Sequence, residues 1–139
     1  SLAAGERESL RILLAEDNPV NQKVTVALLE RKGHTVEVAE NGRLAVDALA
    51  GEKFDVVLMD IQMPVLDGLD ATAEIRDREK GTGTHTPLIA LTANAMKGDR
   101  ERCLQGGLDA YIAKPLRPAD LFRTIDEVLD CEDTHQAQG

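Results

Sequence analysis

The chain has 139 residues, 42% hydrophobic and 29% charged, with 25 acidic against 16 basic side chains and a net charge of -9. That length buries one sizeable core without room for a second effector domain, and the composition is that of a globular protein rather than a disordered or membrane-spanning one. The acidic balance repels a nucleic-acid backbone, and no apolar run approaches the roughly 20 residues of a membrane helix, so neither is an expected direct partner. Cys103 and Cys131 share no metal-ligand spacing and fit a reducing, cytoplasmic compartment. The start at Ser1 without a methionine and the polar end from Glu132 to Gly139 point to a fragment of a longer protein.

In chain order, a first strand is expected over Arg11 to Glu16, followed by a helix that Asn18 caps and Pro19 opens. Val20, Val24, Ala27 and Leu28 recur on one side of that helix, which reads as its core face, and Gly33 ends it. A second strand, His34 to Ala39, precedes a helix striped by Leu44, Ala45, Ala48 and Leu49 and stopped at Gly51. The third strand, Phe54 to Asp60, holds the unbroken run Val56, Val57, Leu58, Met59, which suits a strand covered on both faces. A helix over Asp67 to Arg78 has a thin apolar face, and the Gly- and Thr-rich stretch Thr82 to Thr86 reads as a loop. Pro87 opens a fourth strand, Leu88 to Thr92; the helix after Asn94 is expected to be interrupted by Gly98 and to be the most mobile. A fifth strand, Ala110 to Ala113, leads to a last helix opened by Pro118 and striped by Leu121, Ile125, Val128 and Leu129. Five alternations of this kind are the signature of βαβ units around a parallel sheet.

In an open α/β sheet, ligands bind beyond the carboxyl ends of the strands. Those ends hold Glu16 and Asp17, Asp60, Thr92 and Lys114. Three carboxylates in one pocket repel one another, and Lys114 supplies a single compensating charge. A hard cation that prefers oxygen ligands, Mg²⁺ or Mn²⁺, fits the remainder. With that charge neutralised, Asp60 could act as a nucleophile toward a phosphoryl group, with Thr92 donating to one of its oxygens. Taken singly, each residue has a plainer reading: acids such as Asp55 and Asp109 are loop or cap residues, Lys114 before Pro115 is a surface lysine, and Tyr111 is a half-buried sheet residue. The bond preceding Pro115 is a candidate for the cis form. His34, His85 and His135 share no spacing and are expected to have no catalytic role.

Four motifs in order, ILLAEDN around Glu16 and Asp17, VVLMDIQMPVLDG around Asp60, LIALTANA around Thr92 and DAYIAKPL around Lys114, resemble the receiver domains of two-component response regulators from about Leu10 to Leu129. The domain is accordingly assigned to residues 10–130, with 1–9 and 131–139 as polar tails. The resemblance implies a flavodoxin-like, doubly wound sheet of five parallel strands in the order 2-1-3-4-5. It also implies that Asp60 is the phosphoacceptor and that Mg²⁺ is held by Asp17, Asp60, Glu16 (directly or through water) and the backbone carbonyl of Gln62. Lys114 would pair with the phosphoryl oxygens, while Thr92 and Tyr111 would move on phosphorylation and couple the site to the fourth helix, fifth strand and fifth helix, a face that could also form a homodimer. Gln62 and Asn94 occupy positions similar to those that tune phosphate lifetime in the family. The flavour of AEDNPVNQ and TANAMKGDRERCLQGGLDAYIAKPL is most similar to receivers fused to hybrid sensor histidine kinases, with a histidine kinase or histidine phosphotransfer domain as the partner; a stand-alone or DNA-binding regulator is the alternative. As an isolated domain the chain would be an enzyme only in catalysing its own phosphorylation and dephosphorylation. A haloacid-dehalogenase-type phosphatase would carry an acid where Gln62 stands, and a flavin module would need an amide-rich, neutral or positive first turn in place of Glu16 and Asp17.

Overall fold

The computed structural model describes residues 9–93 and 97–138, with backbone alone at 97, 99 and from 131 onward. Five strands, β1 (Arg11–Ala15), β2 (Thr35–Ala39), β3 (Val56–Asp60), β4 (Leu88–Thr92) and β5 (Ala110–Ala113), alternate with helices α1 (Pro19–Arg31), α2 (Gly42–Gly51), α3 (Gly68–Glu79), α4 (Lys97–Gln105) and α5 (Pro118–Gln138). The strands form one sheet in the order β2-β1-β3-β4-β5, every adjacent pair parallel. The expected topology is therefore present, and the last two strands begin and end where the sequence placed them. α5 runs on in its backbone past the boundary drawn at residue 130.

The central strands are buried on both faces because their side chains alternate between two cores. Leu13, Val57, Met59, Leu88 and Ala90 pack with Ala45 and Val46 of α2, Ala71 and Ile75 of α3, and Cys103 of α4. Ile12, Leu14, Val56, Leu58, Ile89 and Leu91 pack on the other side with Leu29 of α1 and Leu121, Ile125 and Val128 of α5.

Three helix expectations need correction. On α1 the buried positions are Thr25 and Leu29; of the expected stripe only Leu28 packs, half-buried, on the core, while Val20 is 67% and Val24 52% exposed and Ala27 also faces out. The side read as core is rotated by about 100°, one residue, from the side that meets the sheet, and a valine stripe and a threonine-leucine stripe both satisfy helical periodicity. On α2, Leu44 is exposed and Val46 is buried in its place. α4 passes through Gly98 without interruption, the glycine lying at its second position, where few helical hydrogen bonds depend on it. Asn94 lies outside the described residues. Among the described residues, no helix is long and apolar enough to cross a membrane.

Two glycines are required where backbones approach closely. A Cβ on Gly42 would overlap the Leu66 carbonyl, which the Gly42 N–H contacts at 3.0 Å. A Cβ on Gly68 would fall 2.5 Å from the Asp60 carbonyl oxygen and 2.7 Å from Ile61 Cα. The β3–α3 loop is thereby cinched against both α2 and the end of β3. Gly68→Ala should destabilise the fold by about 1–3 kcal/mol through overpacking against backbone that cannot yield; urea unfolding that shows a lower midpoint with an unchanged slope would verify it.

Candidate functional site

β1 is flanked by β2 on one side and β3 on the other, so chain direction across the sheet reverses there and the loops leaving β1 and β3 diverge. Glu16 still donates its N–H to Ala39 O at 3.0 Å, which extends the sheet by one residue and points the strand end at this crevice. Asp60 closes β3, buried to 5% exposure, and Glu16 beside it is 1% exposed, while Asp17 sits exposed at the mouth. Carboxylate oxygens of Glu16, Asp17 and Asp60 all lie within 4.8 Å of one another.

Lys114 reaches this group from beyond β5. Its backbone N–H donates to Thr92 O at 2.8 Å, the peptide bond that follows it, to Pro115, is cis, and its Nζ lies 2.6 Å from Asp60 Oδ2 and 3.0 Å from Glu16 Oε1. Burial lowers the affinity of this ammonium for its proton, but hydrogen bonds to Asp60 and Glu16 and their charges together outweigh burial, so its pKa is raised. Glu16 is also raised, chiefly by desolvation and further by the Asp60 charge, against the lowering effects of Lys114 and the Asn18 N–H. The imbalance is physical: like charges about 4 Å apart near a protein surface repel by about 4 kcal/mol, and one lysine leaves an excess of two negative charges among three acids.

The local sequence holds each group in place. Asp60 Oδ1 accepts the Gln62 N–H at 2.9 Å, and Glu16 Oε2 accepts the Asn18 N–H at 3.1 Å. Asn18 also caps α1 through Oδ1, at 2.9 Å from Val20 N and 3.2 Å from Asn21 N, and Gln22 Nε2 donates to the Glu16 carbonyl at 2.7 Å. In the β3–α3 loop, Leu66 N–H bonds Pro64 O at 2.7 Å around Val65, whose φ of 69° is strained for a β-branched residue. That strain sits in the loop that begins at Asp60, where the surrounding clasp by Gly42 and Gly68 sustains it.

Of the residues singled out from sequence, Glu16, Asp17, Asp60 and Lys114 converge. Thr92 is buried at the end of β4, paired with Ala113 and next to the Lys114 backbone. Gln62 is exposed, and its amide is the part that touches Asp60. Tyr111 pairs with Ala90 and packs on the same core as Ala90, so alternation puts it on the Thr92 side of the sheet. Its hydroxyl accepts from Arg100 Nη1 at 2.7 Å, a contact no sequence signal announced. Asp55 and Asp109 do cap strands, accepting from the backbones of Arg11 and Leu88, while His34 accepts from Leu10 N and His85 pairs with Asp109. Gln22, Gly42 and Gly68 were missed as well; only the Asp-Gly step before α3 hinted at a turn.

Among the described residues, the candidate ligands grouped at the crevice are the carboxylates of Glu16, Asp17 and Asp60, from the ends of two strands, and this all-oxygen set fits a hard divalent cation of Mg²⁺ type and does not fit a thiophilic metal. Comparisons agree with this geometry. A hybrid signal transduction histidine kinase I from Dictyostelium discoideum is 45% identical over 121 residues, spanning 84% of this chain but 7% of that protein, so the chain covers a small part of its curated relative. The receiver domain of sensor histidine kinase PA1611 from Pseudomonas aeruginosa, solved with magnesium coordinated in its active-site cleft, is 47% identical, covers 88% of this chain and 98% of that one, and superposes with a TM-score of 0.79. The receiver domain in a co-crystal of the Saccharomyces cerevisiae histidine phosphotransfer protein Ypd1 with the response regulator Ssk1 gives 29% identity, coverage of 90% and 92%, and a TM-score of 0.82. The family model described as the response regulator receiver domain matches residues 12–126, nearly the whole sheet and its helices, and with the acidic crevice in place the chain belongs to that family.

Proposed function

We propose that the domain is a phosphorylation-driven signalling switch in a two-component phosphorelay, accepting a phosphoryl group on Asp60 from a phosphohistidine of a partner, within the receiver part of a hybrid histidine kinase. The observation that carries this reading is the Lys114 Nζ contact with Asp60 Oδ2 at 2.6 Å inside a cluster of three carboxylates. A buried carboxylate that is already oriented by the Gln62 N–H and faced by a fixed ammonium is a preorganised nucleophile for a group bearing negative oxygens.

In the first step an Asp60 carboxylate oxygen forms a bond to phosphorus as the P–N bond to the donor imidazole breaks, and that imidazole, protonated beforehand on its other ring nitrogen, takes the bonding pair and leaves as neutral histidine. Lys114 then pairs with a phosphoryl oxygen in place of the carboxylate, and Thr92 donates its hydroxyl to another. In the second step water attacks phosphorus, the acyl phosphate P–O bond breaks, and Asp60 returns as carboxylate with inorganic phosphate released. Asp17, Asp60, Glu16 (directly or through water) and the backbone carbonyl of Gln62 would hold a Mg²⁺ ion, which would supply charge neutralisation for the transferring group.

The partner's approach is supported by the surface beside the crevice. Val20 and Val24 stand exposed on α1, and a groove of about 230 Å³ opens next to them, with Val24, Pro115 and Leu116 as its apolar wall and Glu16, Asn21, Thr25 and Lys114 as its polar lining. An apolar helix face fits there, as a histidine phosphotransfer domain would offer. On the output side, Thr92 and Tyr111 transmit the change to α4, β5 and α5, through which the active form pairs with a second copy. The domain works on the cytoplasmic side of its parent.

Asp60→Asn should abolish phosphoryl acceptance from a phosphorylated histidine phosphotransfer domain, measured by intact mass; undiminished labelling of the variant would sink the assignment. Lys114→Ala should keep the fold and slow acceptance by roughly 100-fold, the scale for removing one preorganised charge; an unchanged rate in rapid-quench kinetics would remove Lys114 from the mechanism. For pH, the folded pKa of Glu16 lies above the ordinary glutamate value of 4.5, so its protonated form is favoured in the fold and its ionisation costs stability as pH rises through that pKa. Cation binding requires the ionised form, so the gain in melting temperature given by Mg²⁺ should shrink as pH falls toward Glu16's pKa, the loss beginning above 4.5. Thermal unfolding with Mg²⁺ or EDTA across pH 8 to 4 should show it, on the ordinary scale of carboxylate titration.

A further inference from the structure

We infer that Gln22 is a positioning residue for the divalent-cation site: its side-chain amide, one turn into α1, fixes the Glu16 carbonyl and thereby sets where the Glu16 and Asp17 carboxylates stand. The inference rests on the reading above that these carboxylates hold the cation.

The junction between β1 and α1 is three residues long, Glu16 to Asn18, and the backbone groups of Glu16 and Asn18 each have a partner. The Glu16 N–H completes the sheet at Ala39 O, and Asn18 N–H turns back to Glu16 Oε2 at 3.1 Å. The Glu16 carbonyl belongs to a residue 1% exposed and finds its partner in Gln22 Nε2 at 2.7 Å. Gln22 also sends its own N–H to Asn18 O at 2.9 Å, so a single residue grips the junction at both ends.

The Glu16 carbonyl lies in the planar peptide unit whose other end is the Asp17 nitrogen, and that plane carries the Cα atoms of both acids. Holding its orientation therefore holds the bases of two candidate ligands at once. A small hard cation makes this matter, because it demands near-octahedral geometry at about 2.0–2.1 Å and tolerates misplacement poorly. Gln22 brings no charge to the cluster, so its effect on the cation is geometric. It has the place that carbonyls and carboxylates take behind the ligands in other metal sites, where removing such a support weakens metal binding about 10- to 100-fold.

The test is Gln22→Met, of similar length and uncharged but without the donor, with Gln22→Ala as a second variant. Mg²⁺ binding is measured by isothermal titration calorimetry, alongside thermal unfolding in EDTA. The Mg²⁺ dissociation constant should rise roughly tenfold or more, while the melting temperature in EDTA stays within a few degrees of the unsubstituted chain. An unchanged dissociation constant overturns the role of Gln22, and so does failure of both variants to fold, which would make it a purely structural residue. An unsubstituted chain that binds no Mg²⁺ would instead remove the cation-site reading itself.

Discussion

Two carboxylates brought nearly out of water beside each other, Glu16 and Asp60, form the interaction on which the rest of the site depends. Their mutual repulsion, with Asp17 adding to it, leaves Lys114 as the cation that touches both and leaves an excess negative charge that favours a divalent ion. On the proposed reading, the same imbalance would give the site its response. Phosphorylation at Asp60 would exchange a carboxylate for a bulkier group of greater negative charge, and the partners of Asp60 must re-form around it. A site already balanced by its own side chains would have less reason to change.

Such charge crowding persists only on a rigid base. β3 is buried at all five positions, and its neighbours on both sides are parallel strands whose side chains feed two separate cores. Asp60 is the last residue of this rigid strand and Glu16 and Asp17 lie just beyond β1, where the loops that follow are cinched. Asn18 and Gln22 secure the first loop, and Gly42 and Gly68 press the second against α2 and β3. A second network steadies the opposite end of the sheet, where Arg76, 17% exposed, bonds the carbonyls of Gly107 and Thr86 and pairs with Glu79 and Asp109. Sheet and loops thus divide the work between holding position and holding charge.

Much of this was legible in the residues themselves. An uninterrupted apolar run such as Val56 to Met59 suits a strand covered on both faces, and acids or lysine at the ends of such strands point to a crevice. The helices were harder. α1 carries two overlapping stripes of helical period, and which one meets the sheet depends on how the helix rolls over β1 and β2, a tertiary property. Leu44 and Val46 traded places on α2 for the same reason. The supports behind the site were also hidden, because Gln22 reads as an ordinary polar residue of a surface helix, and its bond to the Glu16 carbonyl exists only after the turn at Asn18 has folded. Arg100 and Tyr111 lie 11 positions apart and meet only when α4 packs beside β5.

The most direct measurement is to load the chain with a small phosphodonor and Mg²⁺, reduce the product with borohydride, and sequence its peptides by mass spectrometry. Reduction converts an aspartyl phosphate to homoserine, so the account predicts homoserine at position 60 alone, and none when Mg²⁺ is replaced by EDTA. Reduction product at another acid, or a phosphoryl label that resists borohydride and acid, would contradict it.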